Sequence, residues 1–460
     1  MGLSRVDVSE AMTRNDSTPT DDSSDRTSAR SRRAFLGGAS ALGAIALAGC
    51  TGGGTGSETT TETMTEMMTT TTEETTTEET TEETTTATPS NPDVPVLNYA
   101  LTLEHLENVF YRKGLKKFAD DELMGADALS SFGEEVRMDV PAYLRTVGDH
   151  EAAHVEAITA TIEKLGGDPV SEGEYDFGCE TPSEFLGTAK ALENTGVAAY
   201  AGAAPKVVSN DVLAAAAGIH SVEARHASFL NFVNSESPYP NAVDEAKSVE
   251  EVLEIAGQFV TSEVDPSVYE TKPPEERATP DRKADDDTSD VEVLNYALTL
   301  EHLENAFYRE GLKEFTDDDL MGADALSPFA DDVKTKVPGH LQTVGEHEAA
   351  HVEALSATVE KLGGTPVGEA EYDFGYETPS EFLGVAKALE NTGVAAYKGA
   401  APTVSNDEVF SAAIGIHSVE ARHAAFLNEL NLSSPFPKAV DEPKTMAEVK
   451  EIAGQFIVQQ

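Results

Sequence analysis

The stretch HEAAHVEA occurs twice, from His150 and from His347. Read alone it is HExxH, which sets two imidazoles one helical turn apart around a glutamate, the device by which zinc peptidases hold a cation and activate water. In that reading His150 and His154 bind one Zn²⁺ and Glu151 is the general base. A third ligand is then required. The residues that follow, VEAITATIEKLGG, carry no GxxH extension. Glu193 could serve, but the second ExxH segment of the chain would be left without a role.

A different set of atoms accounts for more of the chain. Glu151 and His154 are spaced i, i+3 and share a helix face. Within GIHSVEARHA, Glu223 and His226 have the same spacing. Two further segments each carry a Glu followed seven residues later by Tyr, namely Glu104 with Tyr111 and Glu193 with Tyr200. Seven residues is two turns, so each Tyr lies above its Glu on one stripe. Two single-Glu helices and two ExxH helices make the ligand pattern of a dinuclear carboxylate site inside a four-helix bundle. The charges agree. Four carboxylates and two neutral imidazoles are neutralised by two divalent cations, and without metal the buried carboxylates repel one another and several must take up protons.

Neighbouring residues divide between two roles. His150 precedes His154 by a turn and either supports a ligand or faces the bundle surface, and His220 stands in the same relation to Glu223. Glu107, a turn from Glu104, is either an additional ligand or a polar neighbour. Tyr111 and Tyr200, with Tyr308 and Tyr397 in the second copy, are candidates for catalytic participation or for core hydrogen bonds to a carboxylate. Gly196 lies a turn after Glu193, where a missing side chain leaves room for a small ligand or for close helix packing.

These residues need helices to position them, and the chain supplies them in duplicate. VLNYALTLEHLEN begins at Val96 and again at Val293, and the same offset of 197 residues relates HEAAHVEA, KALENTGVAAY and GIHSVEARHA to their second copies. Each copy reads as helical, with no run of alternating β-branched residues. The expected helices of the first copy cover 96–118, 141–165 with Pro141 in its first turn, a third from Thr181-Pro182 to before Pro205, 210–233, and a short fifth over 249–259. Residues 166–180 can span about 50 Å when extended, at ~3.3 Å per residue. A 25-residue helix is only about 37 Å long. The segment can therefore run the length of a bundle and start the third helix parallel to the second. The expected fold is all-α: two tandem four-helix bundles of ferritin-like topology, each with a long crossover between its second and third helices.

LNYALTLEHLENVFYRKGL with HEAAHVEAI resembles the ferritin-like domain family that includes rubrerythrin-like and plant desiccation-related proteins. The resemblance covers nearly all of both repeats. It implies two divalent ions per domain, iron or manganese, held by Glu104, Glu151, His154, Glu193, Glu223 and His226. In the second copy the matching residues are Glu301, Glu348, His351, Glu390, Glu420 and His423.

The rest of the chain concerns placement. SRRAFLGGASALGAIALAGC, with Arg32-Arg33 and an apolar run too short to span a bilayer, resembles a twin-arginine signal ending in a lipobox. That implies export, cleavage before Cys50, a lipid on its sulfur, and residence on the outer face of the cytoplasmic membrane. The expected organisation is signal 1–50, disordered Thr/Glu-rich tether 51–93, first domain 94–260, Pro-rich charged linker 261–290 and second domain 291–460. The net charge of −51 argues against nucleic acid as a partner and suits a halophile's surface. Two cysteines leave no disulfide framework: Cys50 belongs to the anchor, and Cys179 aligns with Tyr376 in the second copy. The expected chemistry is on O₂ or H₂O₂, with a non-catalytic metal-binding or stress-protective module as the alternative. Packing between the domains, or between copies of the chain, stays open at this point.

Overall fold

The computed structural model describes residues 91–262 and 289–458. The signal, Cys50, the tether up to residue 90 and linker residues 263–288 lie outside the described residues. In the first repeat the helices are α1 (Asp93–Lys117), α2 (Asp120–Met124), α3 (Glu134–Lys164), α4 (Pro182–Ala203), α5 (Asn210–Val233) and α6 (Val249–Ala256). The second repeat has α7 (Asp290–Glu314), α8 (Asp317–Met321), α9 (Asp331–Lys334), α10 (Val337–Lys361), α11 (Pro379–Ala400), α12 (Asp407–Leu430) and α13 (Met446–Ala453). Helices α1, α3, α4 and α5 form one four-helix bundle, and α7, α10, α11 and α12 the other. Among the described residues no helix is long and apolar enough to cross a membrane.

Local chemistry sets the helix ends. Thr181 accepts from the Glu184 amide while Glu184 reaches back to the Thr181 amide, and Pro182 fills the first turn of α4. Asp93 caps a helix other than its own: its carboxylate accepts from the amides of Val208 and Ser209 at the start of α5. It is buried within α1 and does not belong to the tether as composition suggests. Helix α3 stops where Gly166 turns left-handed at φ +78°, and Gly167 then bonds back to the Ile162 carbonyl.

The start of α3 differs from expectation. Pro141 lies inside the helix, which begins at Glu134, whereas the equivalent Pro338 sits in the first turn of α10. Proline disfavours a helical residue before it, but in α3 the preceding turns bury Val136 and Val140, and packing prevails.

The crossover follows α1, as its length allows. Asn98 holds its start by donating to the Asp168 carbonyl and accepting from the Val170 amide. Farther along, Lys113 donates to the Tyr175 carbonyl at 2.7 Å and Lys117 to the Cys179 carbonyl at 2.6 Å. The outer side of the crossover pairs briefly with the residues after α6, through an antiparallel bridge of Tyr175 and Val260.

The two bundles pack through α5 against α12. Val197, Ala224, Ala227, Val394, Ala421 and Ala424 form a shared apolar strip, and its small side chains let the backbones approach. Ser228 there donates to the Arg422 carbonyl at 2.9 Å. Reciprocal ion pairs close the contact: Arg225 with Asp441 at 2.8 Å and Arg422 with Asp244 at 2.7 Å, with both guanidinium groups buried.

Candidate metal centre

Four helices send their acids to the middle of each bundle. In the first repeat α1 supplies Glu104, α3 Glu151 and His154, α4 Glu193, and α5 Glu223 and His226. All six side chains are fully buried. Around His154 Nδ1 lie Glu104 Oε2 at 3.2 Å, Glu151 Oε2 at 3.2 Å and Glu223 Oε1 at 3.1 Å. A ring nitrogen carries at most one proton and cannot serve three carboxylates. His226 Nδ1 lies 3.1 Å from both Glu151 Oε1 and Glu193 Oε2. Glu151 thus gives one oxygen to each group, and Glu223 belongs to both.

The donors of each group lie within 4.8 Å of one another. Cations holding N and O ligands at about 2.1 Å set adjacent donors about 3 Å apart. Neither oxygen of Glu223 has a well-aligned donor, which inside a protein is costly unless a cation answers it. The residues present therefore fit a pair of metal ions. The second repeat reproduces the arrangement: His351 Nδ1 lies 3.1 Å from Glu301 and 3.2 Å from Glu348, and His423 Nδ1 lies 3.1 Å from both Glu348 and Glu390.

Protons take the place of cations in the metal-free cluster. Burial and the Glu151 and Glu193 carboxylates push Glu223 well above the ordinary range. Burial also raises Glu104, to about 7, against the opposing pull of His154. For His226, burial works downward but Glu193 and Glu151 outweigh it, and the imidazole rises to about 9. Glu151 moves the other way: burial raises it, but His154 and His226 together hold it below the ordinary range.

Each imidazole of the cluster has a fixed outer partner. His154 Nε2 lies 2.6 Å from the Ala439 carbonyl of the other repeat. A carbonyl only accepts, so Nε2 carries the proton and Nδ1 is left for a cation. His226 Nε2 lies 3.0 Å from His150 Nδ1. With His226 Nδ1 turned to Glu151 and Glu193, its Nε2 carries the proton and donates to His150, which burial lowers to about 3 and keeps neutral. His150 is therefore the orienting partner of His226, and the HExxH zinc arrangement, which needs its ring beside His154 on one ion, does not form. His150→Ala should leave the ions of the first repeat bound but weaken them by about 10–100-fold, measured by competition with a chelator. Full loss of metal on that change would restore the zinc reading.

The tyrosines act crosswise. Tyr111 of α1 donates to Glu193 of α4, and Tyr200 of α4 donates to Glu104 of α1. Tyr308 bonds Glu390 at 2.5 Å, and Tyr397 bonds Glu301. Burial raises all four phenols well above their usual value, so they hold their protons and fix the terminal carboxylates. Glu107 is buried beside the cluster but outside both converging groups. A side chain at Gly196 would meet Glu223 Oε2 at 3.1 Å and Glu107 Oε1 at 3.2 Å, so the glycine leaves open the space next to these two carboxylates. His220 stands apart. It is buried in the contact between repeats, 5.9 Å from His417 ring to ring.

Beyond Tyr200 an apolar cavity of about 60 Å³ is lined by Leu97, Ala100, Ala203 and Ala216. Its counterpart in the second repeat is about 20 Å³, where Phe410 and Ile414 stand in place of Leu213 and Ala217. The spacing of charged residues along the helices could not reveal the Ala439 carbonyl, or its counterpart Ala242, which lies 2.6 Å from His351 Nε2. The only signal was that SPYPNAVDE, from Ser237, returns as SPFPKAVDE.

The ferritin-like domain family matches the chain over residues 92–236 and again over 289–432, the spans that hold both clusters. Comparison with curated proteins finds no match.

Proposed function

The chain belongs to the ferritin-like domain family, and on that footing we propose that each repeat holds two ions of iron or manganese and uses them on oxygen or hydrogen peroxide. The observation that carries this reading is the sharing of Glu151 and Glu223 between two buried Glu₃His groups. A structural ion needs one such group, whereas a pair joined by common carboxylates suits two-electron chemistry on a small oxidant. Bound iron or manganese supplies reversible one-electron oxidation and Lewis acidity. The protein supplies the rest. Tyr111 and Tyr200 hold Glu193 and Glu104 in place, and Glu107 sets a carboxyl beside the gap at Gly196. The apolar cavity behind Tyr200 supports entry of an uncharged molecule rather than an ion. In this proposal the twin-arginine signal exports the chain, and Cys50 tethers it to the outer face of the membrane.

The test is metal analysis with spectroscopy on protein purified from its own cells, followed by an oxygen-evolution assay with H₂O₂ on the same preparation. Iron or manganese near two ions per repeat, with peroxide consumed, is the expected result. Metal without turnover on peroxide or oxygen would end the catalytic reading and leave a metal-binding, stress-protective module.

A further inference from the structure

Resting on that metal-binding reading, we propose that each repeat completes the other's metal centre, so that filling one centre tightens the other. The segment after α12 reaches the first centre. Its Ala439 carbonyl accepts from His154 Nε2 at 2.6 Å. Its Phe436 sets a ring edge on His226, with centroids 5.0 Å apart and planes at 85°, and another on His150 at 6.0 Å. The segment after α5 does the same for the second centre. Ala242 accepts from His351 Nε2 at 2.6 Å, and Tyr239 sets its edge on His423 at 4.8 Å and 86°.

Both segments are anchored where they land. Asp441 pairs with Arg225 and its amide donates to the Gly218 carbonyl, while Asp244 pairs with Arg422 and its amide donates to Gly415. Arg225 lies between Glu223 and His226 in sequence, so the anchor grips the helix that carries two ligands.

The exchange makes a continuous route. Glu223 and His226 of the first centre stand on α5, and the chain leaving α5 arrives at His351 of the second. Glu420 and His423 on α12 relate in the same way to His154. Cations that order α5 therefore also order the segment that orients His351, and the reverse holds equally, because coupling between sites is reciprocal. Packing alone would bury these segments without aiming a carbonyl and a ring at ligand histidines in both directions.

The experiment uses the full chain with the second centre disabled by Glu348→Gln and Glu420→Gln. Affinity of the first centre for Mn²⁺ or Fe²⁺ is read by chelator competition. Disabling the second centre should itself weaken the first by about 5-fold or more. Adding Phe436→Leu, in the repeat that no longer holds metal, should weaken the first by a further 10–100-fold, the usual effect of an outer partner. Tyr239→Leu, whose ring faces the disabled centre, should weaken it by much less, under about 5-fold. Circular dichroism and the melting temperature establish that each variant is folded, and Phe436→Tyr, which copies the first repeat's residue, keeps the ring and should retain affinity should the leucine variant not fold. A folded Phe436→Leu with unchanged affinity, or equal weakening by Tyr239→Leu, overturns the exchange while metal binding stands. Absence of metal from the unaltered chain overturns both readings.

Discussion

Glu223→Gln should remove both metal ions from the first repeat and leave the metal-free protein no less stable. Glu223 belongs to both donor groups, so neutralising it takes one anionic ligand from each ion. In the metal-free chain the same carboxyl is held well above its ordinary range by burial, Glu151 and Glu193, which favours its neutral acid. An amide of the same shape then replaces a neutral acid, and the electrostatic change is small. The loaded protein is different. At a metal concentration of 1,000 times Kd, binding contributes about 4.1 kcal/mol of stability, and the variant forfeits the share that comes from its first repeat. Metal content should fall by half, and the rise in melting temperature on adding metal should shrink. A variant that keeps its full metal content would show that Glu223 is not a ligand.

The same protons make binding pH-dependent with a definite sign. Glu104, at about 7, and His226, at about 9, are raised in the metal-free fold and must give up protons to a cation. Metal affinity therefore climbs as pH rises through that interval, and loading releases protons that a pH electrode can count. The metal-free protein follows the opposite course. A group whose folded pKa is raised binds protons more tightly in the native state, so its contribution to stability is complete below the unfolded value and is lost as pH rises. For Glu104 the loss runs from about 4.5 to about 7, and for His226 from 6.5 to about 9.

What could be read in the sequence follows from how far each feature reaches along the chain. Glu151 with His154, and Glu223 with His226, are spaced by helix geometry itself, so four letters were enough to place both side chains on one face. The crossover could be foreseen because 166–180 has only a few ways to connect two long helices. The cross-hydrogen bonds of Tyr111 to Glu193 and Tyr200 to Glu104 were half visible, since a two-turn stripe puts each Tyr at the right height without saying which Glu it meets. His154 and Ala439 are 285 residues apart, and a backbone carbonyl leaves no mark on side-chain pattern. Pro141 misled for a related reason. Its local preference favours a helix start, and the burial of Val136 that overrides it depends on packing beyond the segment.

The second large effect is expected at Glu107. It lies a turn from Glu104, which suits a ligand, yet its oxygens fall outside both converging groups. In the metal-free cluster, burial and the Glu223 and Glu193 carboxylates hold it well above the ordinary carboxyl range, which favours its neutral acid. It borders the gap that Gly196 leaves beside Glu223. A carboxyl there, next to the space a small oxidant would enter, is placed for general acid–base work, which typically contributes 10²–10⁴-fold to rate. Glu304 occupies the same position in the second repeat, so a single change silences at most one centre. The double variant Glu107→Gln with Glu304→Gln should keep its metal content by elemental analysis while kcat for peroxide falls by about 10²–10⁴-fold. A double variant that loses metal in proportion to activity would instead make these two residues ligands. One that keeps both would leave the proton to come from solvent.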